Sequence, residues 1–120
     1  MTKIFIMPFN DIEKQRIKKI VGGFCRKKIP DHLRSQVKLF YEVNGFYVKI
    51  IESRPSSNGS HLWIDTPIAR LHYDPRTLEW QLYWMRASGR WHKYPGFDAT
   101  NNLMSLIDTI AEDPFCVFWG

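Results

Sequence analysis

The stretch QVKLFYEVNGFYVKIIES, residues 36–53, decides the fold. Its centre, Asn44-Gly45, is a dipeptide favoured in tight hairpin turns, because both residue types tolerate a positive φ. Residues 36–43 and 46–53 on either side are rich in β-branched and aromatic residues, which are typical of strands. The pattern predicts an antiparallel β-hairpin.

Two further turns predict that the sheet continues as a meander. Residues 68–73 (IARLHY) and 79–86 (EWQLYWMR) flank Asp74-Pro75-Arg76, a sequence typical of a turn. Ser88-Gly89 then turns the chain into residues 90–94 (RWHKY). We therefore expect about five antiparallel strands.

The segment between the second and third strands, residues 54–67 (RPSSNGSHLWIDTP), is largely polar and includes three Ser and two Pro. This composition predicts a loop, and a loop of that length is typically mobile or functional. Trp63 and His61 lie in it, and an exposed tryptophan is a frequent anchor for a protein partner. A tryptophan folded back over the core is the alternative interpretation.

A basic helix precedes the sheet. Asn10, followed three residues later by Glu13, matches a capping box and predicts that a helix begins there. Apolar residues then recur at helical spacing on one side: Ile17, Ile20, Val21 and Phe24. Lys18 and Lys19 lie on the other side, and Pro30 ends the helix.

An acidic helix and a short tail follow the sheet. Apolar residues return at helical spacing: Leu103, Leu106, Ile107, Ile110 and Ala111. Asp113-Pro114 ends this helix, and residues 115–120 (FCVFWG) predict an extended tail held by its aromatic side chains. Ile4–Met7 at the other end of the chain predicts an edge strand. The fold class is therefore α+β, in a single domain spanning residues 1–120.

Charge is distributed unevenly along the chain. Ten of the 17 Lys and Arg residues precede residue 39, against three of the 12 acidic residues. Residues 98–120 contain four acids and no base. A basic region of this kind is typical of a surface that meets phosphate groups. The alternative is that the acidic end of the chain packs over the basic part.

The cysteines and the hydropathy of the chain indicate in which compartment the protein resides. Cys25 and Cys116 are far apart in the sequence, so we expect each to be a buried small hydrophobe rather than part of a disulfide or zinc site. The chain shows no apolar run of membrane-spanning length and no signal-peptide pattern. These features predict a cytoplasmic protein that does not associate with membranes.

Residues 82–94 (LYWMRASGRWHKY) combine aromatic and basic residues with no acid. Alternate residues of a strand share a face, so Trp80, Leu82 and Trp84 are expected in the core and Tyr83 on the opposite face. Aromatic rings stack on nucleobases, and Lys and Arg contact phosphates. The candidate nucleic-acid residues are Tyr83, Arg86, Arg90, His92, Lys93 and Tyr94, with Lys18 and Lys19 on the first helix.

This pattern leaves several functions open. The main hypothesis is a non-enzymatic module that binds DNA or RNA. The alternative without a binding function is a solvated strand pair whose cations suppress edge-to-edge pairing. A second hypothesis is a protein-interaction or dimerising domain that uses a strand edge or the tail aromatics Phe118 and Trp119. A third is a metal-independent ribonuclease of the toxin type, with His92, Tyr94 and two arginines supplying acid–base chemistry and positive charge.

Other enzyme classes lack support in the sequence. It contains no nucleophile elbow, no glycine-rich phosphate loop and no Cys/His catalytic signature. The four histidines, at positions 32, 61, 72 and 92, do not have metal-ligand spacing. We expect no metal site and no cofactor.

Four stretches of the chain carry a resemblance to a known family. They are HLRSQV, GFYVKIIESRP, TPIARLHYDPRTLEWQLYWMRASGRWHKY and DPFCVFWG. Across roughly residues 29–120 the chain resembles a bacterial family of small proteins known as domain-of-unknown-function family 3024. The resemblance implies a bacterial, cytoplasmic, single-domain protein. It supplies no catalytic residues to carry over and leaves the function open.

Overall fold

A computed structural model describes residues 9–119 of the chain. Within that range the elements are α1 (Asp11–Lys28), a 3₁₀ turn (Asp31–Leu33), β1 (Lys38–Asn44), β2 (Tyr47–Pro55), β3 (Trp63–Asp74), β4 (Glu79–Met85), β5 (Trp91–Lys93) and α2 (Leu103–Glu112). The α+β class and the order of elements are confirmed. The edge strand expected at Ile4–Met7 lies outside the described residues. No helix between residues 9 and 119 has the length and apolar character needed to cross a membrane.

The strands form one antiparallel sheet in the order β1-β2-β3-β4-β5, which is the expected meander. The first hairpin turns one residue later than Asn44-Gly45 suggests, because Asn44 pairs directly with Tyr47. Gly45 has φ +56° and stands at the first central position, which is the pattern of a type II′ turn. Phe46, at the second position, lies against the Phe9 ring, with centroids 6.4 Å apart.

The prediction of a loop over residues 54–67 is wrong at both ends. β2 runs to Pro55 and β3 begins at Trp63, so the connection comprises only residues 56–62. Residues 63–66 include Trp, Ile and Thr, which favour strands, and they continue the β2–β3 ladder beyond the rest of the sheet.

A β-bulge interrupts the β2–β3 ladder. Ile50 pairs with Ala69, whereas Ile51 pairs with Pro67, so Ile68 is the extra residue. Ile68 is buried and belongs to the core. The bulge shifts the alternation of side chains along β3 by one residue.

Both helices pack on one face of the sheet and enclose the core. Trp80 and Leu82 are buried there and Trp84 packs against them, as the alternation in β4 predicts. The core residues are Phe9, Ile17, Val21, Cys25, Val48, Ile50, Ile68, Ala69, Leu71, Trp80, Leu82, Tyr94, Leu103, Leu106, Ile107, Ile110 and Phe118. Among residues 9–119, the other face of the sheet carries no helix.

The two cysteines differ in environment. Cys25 is buried on α1, as expected, and burial raises the pKa of its thiol to about 11. Cys116 is exposed, so the expectation of a buried residue is wrong there. It has φ +55° in the turns after α2, and those turns direct Phe118 rather than Cys116 into the core.

Asp113 organises the C-terminal tail. It has φ +43° and ends α2 in the left-handed conformation. Its carboxylate accepts hydrogen bonds from the backbone N–H groups of Val117, Phe118 and Trp119, at distances between 2.8 and 3.3 Å. The Trp119 indole Nε1 also donates to Ile110 O at 2.8 Å. These bonds hold the tail in turns against the core.

Candidate nucleic-acid interface

The face of the sheet opposite the helices is the candidate site, and we call it the open face. Cross-strand pairing places Lys49, Arg70, Tyr83 and Lys93 in one row across four strands. Among residues 9–119, no helix packs on this face. Its central side chains are Phe40, Tyr47, Lys49, Arg70, His72, Tyr83, Trp91 and Lys93.

Three rings follow one another across the middle of the open face. The rings of Tyr47 and His72 stack, with centroids 5.4 Å apart and planes inclined by 18°. The His72 and Tyr83 centroids are only 4.1 Å apart. All three residues are half-buried. The row therefore spans β2, β3 and β4, and each of its three residues is partly exposed.

Arg70 lies close to two aromatic rings, those of Tyr47 and Trp91. Its guanidinium carbon is 4.3 Å from the Tyr47 ring centroid and 4.8 Å from that of Trp91. Its Nη2 donates a hydrogen bond to the Tyr47 hydroxyl at 3.3 Å. The Arg70 Nε is enclosed and has no hydrogen-bond partner among the described residues. Packing on the rings, rather than an acidic partner, holds this guanidinium in place.

His72 is uncharged at neutral pH. Burial lowers its pKa below the ordinary 6.5, and the nearby Arg70 charge lowers it further. Its Nε2 is enclosed without a hydrogen-bond partner within residues 9–119. A neutral imidazole packs between the two phenol rings without bringing a second charge next to Arg70.

A cavity with a volume of about 590 Å³ adjoins the row of rings. His72, Tyr83, Gln81 and Lys93 form part of its wall. The Gln81 side-chain N–H donates to Phe97 O at 3.0 Å, which fixes the amide. The arrangement combines ring surface with polar groups, as a site for a planar polar ligand requires.

Charges on the open face are segregated. Arg70, Lys49 and Lys93 lie centrally, and Lys49 approaches Glu42 on the edge strand at 3.8 Å. Asp74 and Glu79 lie at the end next to the β3–β4 turn, where Asp74 binds Arg76 at 3.2 Å. The centre of the face is therefore cationic and one end is acidic.

Only some of the residues expected from sequence lie together. Tyr83 and Lys93 are direct cross-strand partners on the open face. Arg86 instead lies over the Trp84 ring at 5.6 Å, and His92 lies 6.3 Å from the same ring. Because Trp84 belongs to the helix-covered side, these two residues face away from Tyr83.

The remaining basic residues of the set occupy other surfaces. Arg90 is exposed in the turn between β4 and β5. Lys18 and Lys19 are exposed on α1, which packs on the covered side of the sheet. A ligand on the open face therefore does not reach the α1 lysines without bending around an edge of the sheet.

Tyr94 is in the core rather than at the surface. It is 5% exposed and stacks on Phe118, with ring centroids 5.4 Å apart. Burial, and secondarily the charge of Asp113, raises the pKa of Tyr94. Its hydroxyl is enclosed and has no partner in the described part of the chain. The four-residue ribonuclease arrangement thus has no accessible Tyr94.

Trp63 lies at the start of β3 instead of in a loop. The Lys38 ammonium lies over its ring, 4.3 Å from the centroid. The neighbouring Leu62 and Ile64 are 71% and 56% exposed, and His61 is exposed in the connection. We call Leu62, Trp63 and Ile64 the hairpin-end patch.

A sequence profile described as a domain of unknown function (DUF3024) matches residues 9–120. The chain belongs to the DUF3024 family. Comparisons with curated proteins and with solved structures found no match. The DUF3024 match spans both helices and all five strands, so it includes every residue of the open face.

In this DUF3024 member, the sequence analysis does not predict the open-face residues of β2 and β3, although side-chain alternation in both strands indicates them. Tyr47 and Lys49 alternate with buried Val48 and Ile50, and residues 69–72 repeat the pattern. Pairing of β2 with β3, which are joined by residues 56–62, places the polar and aromatic side chains of both strands on one face.

Proposed function

We propose that this protein is a non-enzymatic module that binds single-stranded nucleic acid on its open face. The row of rings formed by Tyr47, His72 and Tyr83 carries the proposal. Unpaired bases present flat surfaces that stack on such rings, at roughly 1–3 kcal/mol per base. Bases in a duplex are already stacked on each other, so a single strand is the better ligand.

Arg70 adds a fixed positive charge beside the rings. Its guanidinium is already held between the rings of Tyr47 and Trp91. A phosphate that approaches its edge therefore meets N–H donors whose orientation is fixed before binding. Stacking on aromatic rings is typical of single-stranded recognition.

Phosphate contacts are assigned to the central cations. Lys93 is exposed beside Tyr83, and Lys49 lies on the far side of Arg70 in the same row. Such contacts release counterions, so affinity should fall as salt rises. Few cations are involved, and the salt dependence should be shallower than that of a highly basic duplex-binding protein.

A second function is favoured by a different observation, the hairpin-end patch. Leu62, Trp63 and Ile64 expose apolar surface at the far end of the β2–β3 ladder. Exposed apolar patches are typical of protein interfaces. This alternative predicts that the protein forms a discrete oligomer or a protein complex, and that the affinity of this association does not depend on salt.

The test is fluorescence anisotropy with labelled single-stranded RNA, single-stranded DNA and duplex DNA, at low and moderate salt. Lys93→Gln should weaken single-strand binding severalfold. Lys19→Gln removes the same charge from α1 and should leave binding unchanged. Equal losses in both variants would mean non-specific attraction to a basic protein, and no binding at low salt would refute the proposal.

The same mixtures should be examined on a gel. Intact RNA is expected for a binding module. RNA cut without added metal would refute the non-enzymatic proposal and restore the ribonuclease hypothesis.

A further inference from the structure

We propose that a cavity at the C-terminal end of α1 binds a small organic anion with an apolar body. The cavity measures about 250 Å³ and lies between the last turn of α1, the segment that follows the 3₁₀ turn, and the start of β1. It is separate from the row of rings on the open face. The proposal therefore stands independently of nucleic-acid binding.

The floor of the cavity is apolar. It is formed by side chains from α1, the segment after it and β1: Cys25, Ile29, Val37 and Leu39. Cys25 and Val37 are each only 6% exposed, so the floor is firmly packed. The thiol of Cys25 stays protonated at neutral pH and behaves as a small hydrophobe. An apolar cavity of about 150 Å³ already accommodates benzene, so this one is large enough for a short hydrocarbon chain or a ring.

The rim of the cavity carries only positive charge. Arg26, Arg34 and Lys38 line it, and none of the lining residues is acidic. Arg34 is paired with Asp31 outside the lining, at 3.0 Å, and Lys38 lies over the Trp63 ring. Arg26 has no acidic partner within 4 Å in the described part of the chain, so its guanidinium is the one available for an anion.

The Arg26 side chain folds back along α1 over two glycines. A Cβ on Gly22 would lie 3.2 Å from Tyr41 Cε1 and 3.4 Å from Arg26 Nη1, and one on Gly23 would lie at an ordinary contact distance of 3.9 Å from Nη2. The same Arg26 side chain lines the cavity. A guanidinium presents paired N–H donors that match the two oxygens of a carboxylate.

The floor and the rim together define the ligand. A free inorganic anion would satisfy Arg26 and leave the apolar floor uncovered, whereas a neutral hydrocarbon would cover the floor and leave the charge without a partner. An organic anion with a short apolar body satisfies both. A medium-chain carboxylate is the simplest member of that class.

The test uses the full chain, octanoate as the probe and octanamide as the uncharged probe of the same shape. Octanoate titrated by calorimetry should bind, with amide shifts in NMR spectra centred on residues 25–39, and octanamide should bind much more weakly. Arg26→Gln should weaken octanoate binding roughly tenfold, as expected for loss of a charge-assisted hydrogen bond. Arg26→Lys should recover part of it.

Lys27→Gln is the matched control, because Lys27 lines the groove between α1 and α2 instead. It removes one charge from the neighbouring position and should leave octanoate affinity unchanged. No octanoate binding at millimolar concentration, equal binding of octanamide, or equal losses in the Arg26 and Lys27 variants would each refute the proposal. Nucleic-acid binding by the same Arg26 variant should remain normal, which separates this result from a failure of the open face.

Discussion

The two faces of the sheet are built by the same strands under different constraints. In β3, Ala69 and Leu71 are fully buried beneath the helices, whereas Arg70 and His72, which alternate with them, lie on the open face. The covered face gains stability by removing apolar surface from water. The open face retains aromatic and charged groups where a ligand can reach them. Alternation thus separates residues needed for folding from residues available for binding.

The comparison is tested most strongly by Leu82→Ala on the covered face. Leu82 is completely buried in the core, so its truncation leaves a cavity and should lower the free energy of unfolding by about 2–5 kcal/mol. Urea denaturation measures the change. A loss below about 1 kcal/mol would mean that the helices pack more loosely on the sheet than the burial indicates.

Asp113→Ala tests whether the tail contributes to the covered face. Three backbone N–H groups lose their shared acceptor, and Phe118 loses the turn that holds it against Tyr94. We expect a loss of about 1–3 kcal/mol in the free energy of unfolding. Asp108→Ala on the exposed side of α2 is the control and should change stability little. Equal effects of the two changes would remove any special role from Asp113.

Tyr83→Ala tests the open face, where the effect should appear in binding rather than in stability. Loss of one stacking surface should weaken single-strand affinity by about 1–3 kcal/mol. Phe115→Ala removes an aromatic ring that is 59% exposed elsewhere and should leave affinity unchanged. The contrast between the faces would fail if Tyr83→Ala unfolded the protein, or if both variants bound like the parent.

The smallest expected effect is the pH dependence contributed by His72. Its folded-state pKa lies below 6.5, whereas the unfolded chain titrates near 6.5. Above pH 6.5 both states are neutral and the residue contributes no pH dependence. As the pH falls through 6.5, the unfolded chain takes up the proton first and stability decreases, until the pH is below the folded-state pKa.

The measurement compares urea midpoints at neutral and mildly acidic pH for the parent and for His72→Gln. Carboxylates and other groups common to both proteins cancel in the difference. The parent should lose more stability on acidification than the variant. Identical slopes would show that His72 is as well solvated in the folded protein as in the unfolded one.

Local patterns in the sequence were sufficient for most of the fold. The Asn10–Glu13 capping box is present, with Glu13 N donating to Asn10 Oδ1 at 2.8 Å, and the α1 helix ends at Lys28, shortly before Pro30. These features depend on residues close together in the chain. The start of β3 was missed because the Ser, Asn and Gly residues before Trp63 dominate the composition of that segment, while its pairing with β2 is a tertiary effect.

The candidate site was predicted less well for a related reason. Tyr83 was placed on the correct face by alternation within one strand, and Tyr94 was misplaced because its burial depends on the distant Phe118. Tyr47, Arg70 and His72 lie on two strands that come together only through register. In residues 82–94 the aromatic and basic residues are consecutive, whereas the rings that lie together on the open face are far apart in sequence.

The extra residue Ile68 reverses which residues of β3 face each side of the sheet. After Ile68, even-numbered residues such as Arg70 and His72 point to the open face; before it, odd-numbered residues such as Trp63 and Asp65 do. Deleting Ile68 would hardly shorten the strand, but it would put one half out of phase and turn Trp63 toward the helix side. One residue with no contact to any ligand therefore determines whether the hairpin end and the row of rings present a common surface.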